Sequence, residues 1–118
     1  MDSHELGKAG QKAAEAFLFK KGYSILERNF HTRSGELDIV ARDEDYIVFV
    51  EVKARKGLEY GYPREAVTRT KQKRIIRTAL VYLTRHHLSN NNIRFDVVEV
   101  LFQHGQVYAS HIENAFTG

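Results

Sequence analysis

Three residues near the middle of the chain have the side chains that phosphodiester chemistry uses: Asp38, and the pair Glu51 and Lys53 two positions apart. In Tyr46-Ile-Val-Phe-Val-Glu-Val-Lys53, Val48, Val50 and Val52 share one face of a strand. Ile47, Phe49, Glu51 and Lys53 share the other, which begins apolar and ends in an acid and a base. In so apolar a strand these charges are drawn away from water, which is costly unless they are paired or bind a metal. The stretch before it, Gly35-Glu-Leu-Asp-Ile-Val-Ala41, repeats the pattern: Leu37, Ile39 and Ala41 are expected on one face, Glu36, Asp38 and Val40 on the other. A hairpin symmetric about Glu44 and Asp45 sets Val40 opposite Phe49, Asp38 opposite Glu51 and Glu36 opposite Lys53. Directly opposed β-carbons lie about 4.5–5.5 Å apart. Two carboxylates so placed repel, and a divalent cation between them removes the repulsion. Oxygen ligands without cysteine or histidine suit Mg²⁺ or Mn²⁺. Lys53 could then orient a water or stabilise charge developing on a phosphate. Glu-x-Lys alone has a plainer explanation, a strand end reaching solvent with a local ion pair. Glu36 is expected to pair with Lys53.

These residues need a scaffold. Glu5 to Lys21 spaces Leu6, Ala9, Ala13 and Phe17 at helical intervals, and Gly22 ends the helix. Tyr23 to Phe30 predicts an edge strand, and Arg33-Ser34-Gly35 a turn. Glu36 to Arg42 and Tyr46 to Ala54 form the hairpin, and Arg55 to Tyr62 a loop. A second helix starts at Pro63 or at a Thr68 cap, with Ala66, Ile76, Ala79, Leu80 and Leu83 as its apolar stripe. Ile93 to Phe102 and Gln106 to Ile112 are two further strands joined at His104-Gly105. The order α-β-β-β-α-β-β predicts an α/β fold, a mixed β-sheet flanked by helices.

Composition bounds the function. The 118 residues are 42% hydrophobic with one proline, enough for one compact domain spanning 1–118. No cysteine is present, which excludes disulfides and thiolate metal sites. No stretch approaches the roughly 18 apolar residues of a membrane span, and the polar N-terminus is unlike a secretory signal. A cytoplasmic protein without a membrane partner is expected. The net charge is +3, and its distribution favours an anionic partner: Arg69, Lys71, Lys73, Arg74 and Arg77 face one nearby acid, Glu65. Lys71, Gln72, Lys73 and Arg74 are therefore the expected nucleic-acid contacts, against the alternative of a solvated basic face. Tyr60 and Tyr62 could stack on an unpaired base or simply pack. The six histidines show no metal spacing. Asp96 is expected to be structural.

Gly35-Glu-Leu-Asp38 followed by Val50-Glu-Val-Lys53 resembles the PD-(D/E)XK nuclease superfamily, with Leu37 where the superfamily's name has proline. More closely, the whole chain resembles the YraN-like family of endonuclease-like bacterial proteins. The likeness runs through Gly10, Ala14-Glu15, Gly22-Tyr23, Phe49-Val-Glu-Val-Lys53, Lys71, Arg94-Phe-Asp-Val-Val98 and Asn114-Ala-Phe116. It implies a restriction-endonuclease-like three-layer core and Mg²⁺-dependent (or Mn²⁺-dependent) endonuclease hydrolysis of DNA. Asp38 and Glu51 would be metal ligands, Glu15 a further ligand from the first helix, and Lys53 the residue acting on water. The resemblance to Holliday-junction resolvases further implies branched or nicked DNA and a homodimer. Two rivals remain: a nucleic-acid-binding module with a slow or inactive site, and a protein-interaction domain using the basic helix.

Overall fold

The computed structural model describes residues 1–57 and 67–118. Helix α1 spans Ser3–Lys20 and starts from a reciprocal cap, in which Asp2 accepts from the Glu5 N–H and Glu5 accepts from that of Asp2. Strands β1 (Ser24–Thr32), β2 (Gly35–Asp43) and β3 (Tyr46–Lys56) follow, then α2 (Arg69–Arg85), β4 (Asn92–Gln103) and β5 (Gln106–Phe116). They form one five-stranded sheet in the order β1-β2-β3-β4-β5. Only β3 and β4 run parallel, and the connection between them contains α2, the crossover that parallel neighbours require. The fold is thus α/β, with a mixed sheet between two helices and the predicted element order.

Each face of the sheet holds a separate core. Ala14 and Leu18 of α1 pack with Ile39, Ala41, Val48, Val50, Val98 and Val100. Ile75, Ala79, Tyr82 and Leu83 of α2 pack on the opposite face with Leu37, Val40, Ile47, Phe49 and Phe95. Neither helix shows the predicted phase. In α1 the buried line is Gly10, Ala14 and Leu18, while Leu6, Ala9, Ala13 and Phe17 flank it half-buried. Small residues at 10 and 14 let the helix backbone approach the sheet, so the bulkier side chains pack to either side. In α2, Thr68 is the cap, accepting from the Lys71 N–H. Pro63, Ala66, Tyr60 and Tyr62 lie outside the described residues. Its stripe is Ile75, Thr78, Ala79, Tyr82 and Leu83, whereas Ile76 is half-buried and Leu80 is 55% exposed. Thr78 occupies the core because its hydroxyl donates to the Arg74 carbonyl at 2.8 Å. β3 also runs two residues beyond its expected end, to Lys56.

Alternation also fails in β2. Leu37 packs on the α2 side with Val40, while Ile39 and Ala41 pack on the α1 side. The break falls at Asp38. Asn29 lies between the Arg28↔Ile39 and Phe30↔Leu37 pairs, so it faces Asp38 across the β1–β2 ladder, and its φ is 52°. Leu26 adds a register shift in the same strand. These irregularities turn the pleat just where the acid sits.

Asp96 is wholly buried and structural, as expected. Arg94 binds it from Nε at 2.9 Å and from a terminal nitrogen at 3.0 Å, and the Asn114 N–H donates at 2.9 Å. Burial alone would raise its pKa, but hydrogen bonds from His111 and Arg94 and the Asn114 N–H hold it below the usual carboxylate value. His111 Nε2 lies 2.7 Å from Asp96, and its Nδ1 lies 2.8 Å from Lys21 Nζ. An ammonium can only donate, so Nδ1 accepts and Nε2 carries the hydrogen given to Asp96. Among the described residues no helix is long and apolar enough to cross a membrane.

The closest approach of α1 to the sheet is testable. A Cβ added at Gly10 would lie 2.5 Å from the Ala54 Cβ. Gly10→Ala should therefore destabilise the protein despite the better helix propensity of alanine, by about 1–3 kcal/mol of overpacking. Urea unfolding of Gly10→Ala, Ala54→Gly and the double variant should show a favourable coupling, because the second change removes the clash. Strictly additive effects would mean that the contact does not limit the approach.

Candidate active site

The β2–β3 ladder follows the predicted register from Asp43↔Tyr46 to Ile39↔Val50. No backbone pair continues it to Asp38 and Glu51. Instead the Asp38 carboxyl fills the gap and accepts the Val52 N–H at 2.9 Å. The strands part here, and the site lies in the opening.

Glu51 is 6% exposed and is held from two elements. Lys71 Nζ, reaching down from α2, lies 2.6 Å from its Oε2, and Lys53 Nζ lies 3.5 Å from the same oxygen. Asp38 borders this cluster. Burial, then repulsion from Glu51, pushes its pKa up to about 7, against the Val52 N–H and the charge of Lys71. The lysines diverge. Burial, then the neighbouring Lys71, pulls Lys53 below its ordinary value. Burial also disfavours the charge on Lys71, but its contacts with Glu51 and Lys53 outweigh that, and its pKa is raised. The two ammoniums on one carboxylate thus shift in opposite directions.

A cleft of about 1020 Å³ opens beside the cluster, between the start of α1 and the parted strands, and Asp38 and Lys53 line it. Glu15 lines it too, half-buried, but its carboxylate is engaged by Arg28 Nε at 2.7 Å. Glu36 stands on the same wall. The expected Glu36–Lys53 pair does not form: the ladder ends before it could align them, and the lysine turns to Glu51. Among the described residues no group of three acids or histidines is poised to hold a metal ion.

Of the expected nucleic-acid contacts, Lys71 belongs to the charge cluster, and Gln72 is tied to the Val67 carbonyl at 3.2 Å. Lys73 and Arg74 are exposed. Sequence reasoning missed that Lys71 joins Glu51. The signal was available in the phase of α2, since position 71 is about 40° from 75 around a helix and Ile75 is buried. Sequence reasoning also passed over Glu99, the register partner of Lys53 on β4. Its Oε2 is a buried side-chain oxygen without a hydrogen-bond partner among the described residues.

The position of Asp38 makes stability depend on pH. Its folded pKa is about 7 against an ordinary 3.8, so between these values the folded chain holds a proton that the unfolded chain has lost. Stability should fall as pH rises through that window, by about 1.4 kcal/mol per unit at the steepest. Asp38→Asn cannot ionise and can still accept the Val52 N–H. Urea midpoints measured from acid to neutral pH should show a flatter profile in the variant and higher stability than wild type above neutrality. Parallel profiles would place the titration elsewhere.

Residues 10–100 match the family described as Uncharacterised protein family UPF0102. A UPF0102 protein of Clostridioides difficile is 45% identical over 116 residues, covering 98% of this chain and 100% of that protein. One from Clostridium acetobutylicum is 50% identical over 112 residues, covering 93% of this chain and 92% of its own length. A third, from Syntrophomonas wolfei, is 48% identical over 114 residues, with 97% and 99% covered. Matches of this extent take in the parted strands, both helices and every residue of the charge cluster, and the chain belongs to the UPF0102 family.

Proposed function

We propose that the protein is a divalent-metal-dependent endonuclease acting on DNA, with its site at Asp38, Glu51, Lys53 and Lys71. The observation that carries this reading is a nearly buried acid, Glu51, set against a second, half-buried acid, Asp38, on the wall of a cleft. Burial, then repulsion from Glu51, pushes the Asp38 pKa up to about 7, so two carboxyl groups share a site where charge on both is costly. A divalent cation offsets that cost. Two carboxyl groups, with water completing the coordination, suit Mg²⁺ or Mn²⁺, since Mg²⁺ commonly keeps several waters and uses one or two carboxylates. The donor set therefore fits the ion without a third acid, and Glu15 stays with Arg28.

When bound, the ion supplies Lewis-acid neutralisation of the phosphate. The remaining chemistry belongs to the chain. Asp38 would give up its proton, and Glu51 its lysine contacts, to hold the ion, so affinity should rise with pH. Lys53, on the cleft wall beside Glu51, orients the attacking water. Lys71 stays charged. At 41% side-chain exposure it has room to swing from Glu51 toward a phosphate oxygen.

A second reading has its own support. Lys71 at 2.6 Å and Lys53 at 3.5 Å already compensate Glu51, as they would in a module that binds nucleic acid without cutting it.

Two measurements separate the readings. Millimolar Mg²⁺ or Mn²⁺ should raise the melting temperature of wild type and not of Asp38→Asn. An equal rise in both would put the ion elsewhere. Linear, flapped, nicked and four-way-junction DNAs should then be incubated with wild type and Lys53→Met, with either metal or with chelator. Methionine keeps much of the aliphatic stem, so DNA affinity and metal response should persist while cleavage falls about 100-fold or more. Equal cleavage by both proteins would expose a contaminant, and no cleavage by wild type with either metal would favour the binder.

A further inference from the structure

Helix α2 has two charged sides, and the active site uses one. Its 17 residues include Arg69, Lys71, Lys73, Arg74, Arg77 and Arg85 and no acid. Lys71 turns to the sheet. Positions 69 and 73 each lie about 200° from 71 around the helix, so Arg69 and Lys73 face away from the active site. With Arg77 they make an i, i+4, i+8 row about 6 Å apart per step along the axis. All three are exposed, and none has an ion-pair partner among the described residues. Like charges at this spacing repel and weaken the helix that carries them. Between this row and residues Thr117 and Gly118 lies a groove of about 340 Å³, with Ile76, against Gly118, and the 55%-exposed Leu80 on its α2 side.

We infer that this outer row of α2 is a second nucleic-acid surface, binding the sugar-phosphate backbone of duplex DNA outside the catalytic cleft. A regular line of cations without acids fits a linear polyanion better than the mixed charges of a protein surface. Arg69, Lys73 and Arg77 take phosphates, while the exposed Leu80 takes the apolar face of a sugar beside them. Backbone contacts of this kind hold the duplex without reading its sequence. The inference rests on the proposed function only in taking DNA as the ligand.

The test is the salt dependence of binding to a duplex of random sequence. Wild type is compared with the Arg69→Gln/Lys73→Gln/Arg77→Gln variant and with Lys20→Gln, which removes an exposed cation at the end of α1. Each lost phosphate contact lowers the slope of log affinity against log salt by about 0.9, so the triple variant should lose about 2.7. Lys20→Gln should keep the wild-type slope. The three residues are exposed, so the melting temperature should hold or rise as their repulsion is removed. Should the triple variant fail to fold, Lys73→Gln and Arg77→Gln singly should each lose about 0.9. An unchanged slope, or no binding of duplex by wild type, overturns the inference. So does poly-glutamate that displaces duplex from wild type at matched charge, since the row would then serve an acidic protein. Cleavage is a separate readout: a protein that never cuts but loses slope in the triple variant keeps this surface, and one that cuts with an unchanged slope does not.

Discussion

A backbone N–H at the point where two strands separate must find an acceptor, and at Val52 that acceptor is the side chain of Asp38. Much of the molecule follows from this substitution of a carboxyl group for a ladder partner. It brings one acid against a second, Glu51, which is itself nearly buried. Two acids in a space with little water need positive charge, and it arrives from different elements: Lys53 from the strand of Glu51, Lys71 from α2. Lys71 can reach Glu51 only because α2 is seated on Ile47 and Phe49 by Ile75, Ala79, Tyr82 and Leu83. On the other face, α1 lies close enough to β3 for Gly10 to sit against Ala54, which sets one wall of the cleft. The two hydrophobic cores thus serve as the rigid mounts of one polar opening.

The parts of this arrangement legible in the sequence are those governed by local rules. A short polar turn between two alternating strands set the register as far as Ile39↔Val50; beyond it the Asp38 side chain, on the Val52 N–H, comes beside Glu51 without a ladder pair. The element order was legible for the same reason. What failed depended on tertiary contacts. Strict alternation placed Leu37 with Ile39, but the left-handed Asn29 across the ladder turns the pleat, and Leu37 packs with Val40. Both helix phases were displaced because apolarity was taken as the guide. In α1 the line of contact is set by small residues, and in α2 by Thr78, whose hydroxyl is satisfied within its own helix. Lys71 was read as a surface cation because its neighbours are. Its partner lies 20 residues earlier on another element; the phase of α2 turns position 71 toward the sheet, but only the tertiary fold names Glu51.

Asp38 and Asp96 give the clearest measure of what the fold does to one residue type. Both are acids in the sheet, and both accept a backbone N–H, from Val52 and Asn114 respectively. Asp96 also has Arg94 on both oxygens and His111 beside one, and its pKa falls despite burial. Asp38 meets another acid instead, and its pKa climbs to about 7. The first environment is complete: its donors are in place and the charge is settled, so the group ties β4, β5 and the chain after α1 together. The second is incomplete, with an acid whose charge state is poised near neutrality beside an open cleft. A fold that could saturate one buried aspartate so fully had the means to saturate the other. That it leaves Asp38 facing Glu51 is the strongest physical reason to seek the chemistry there rather than at Asp96.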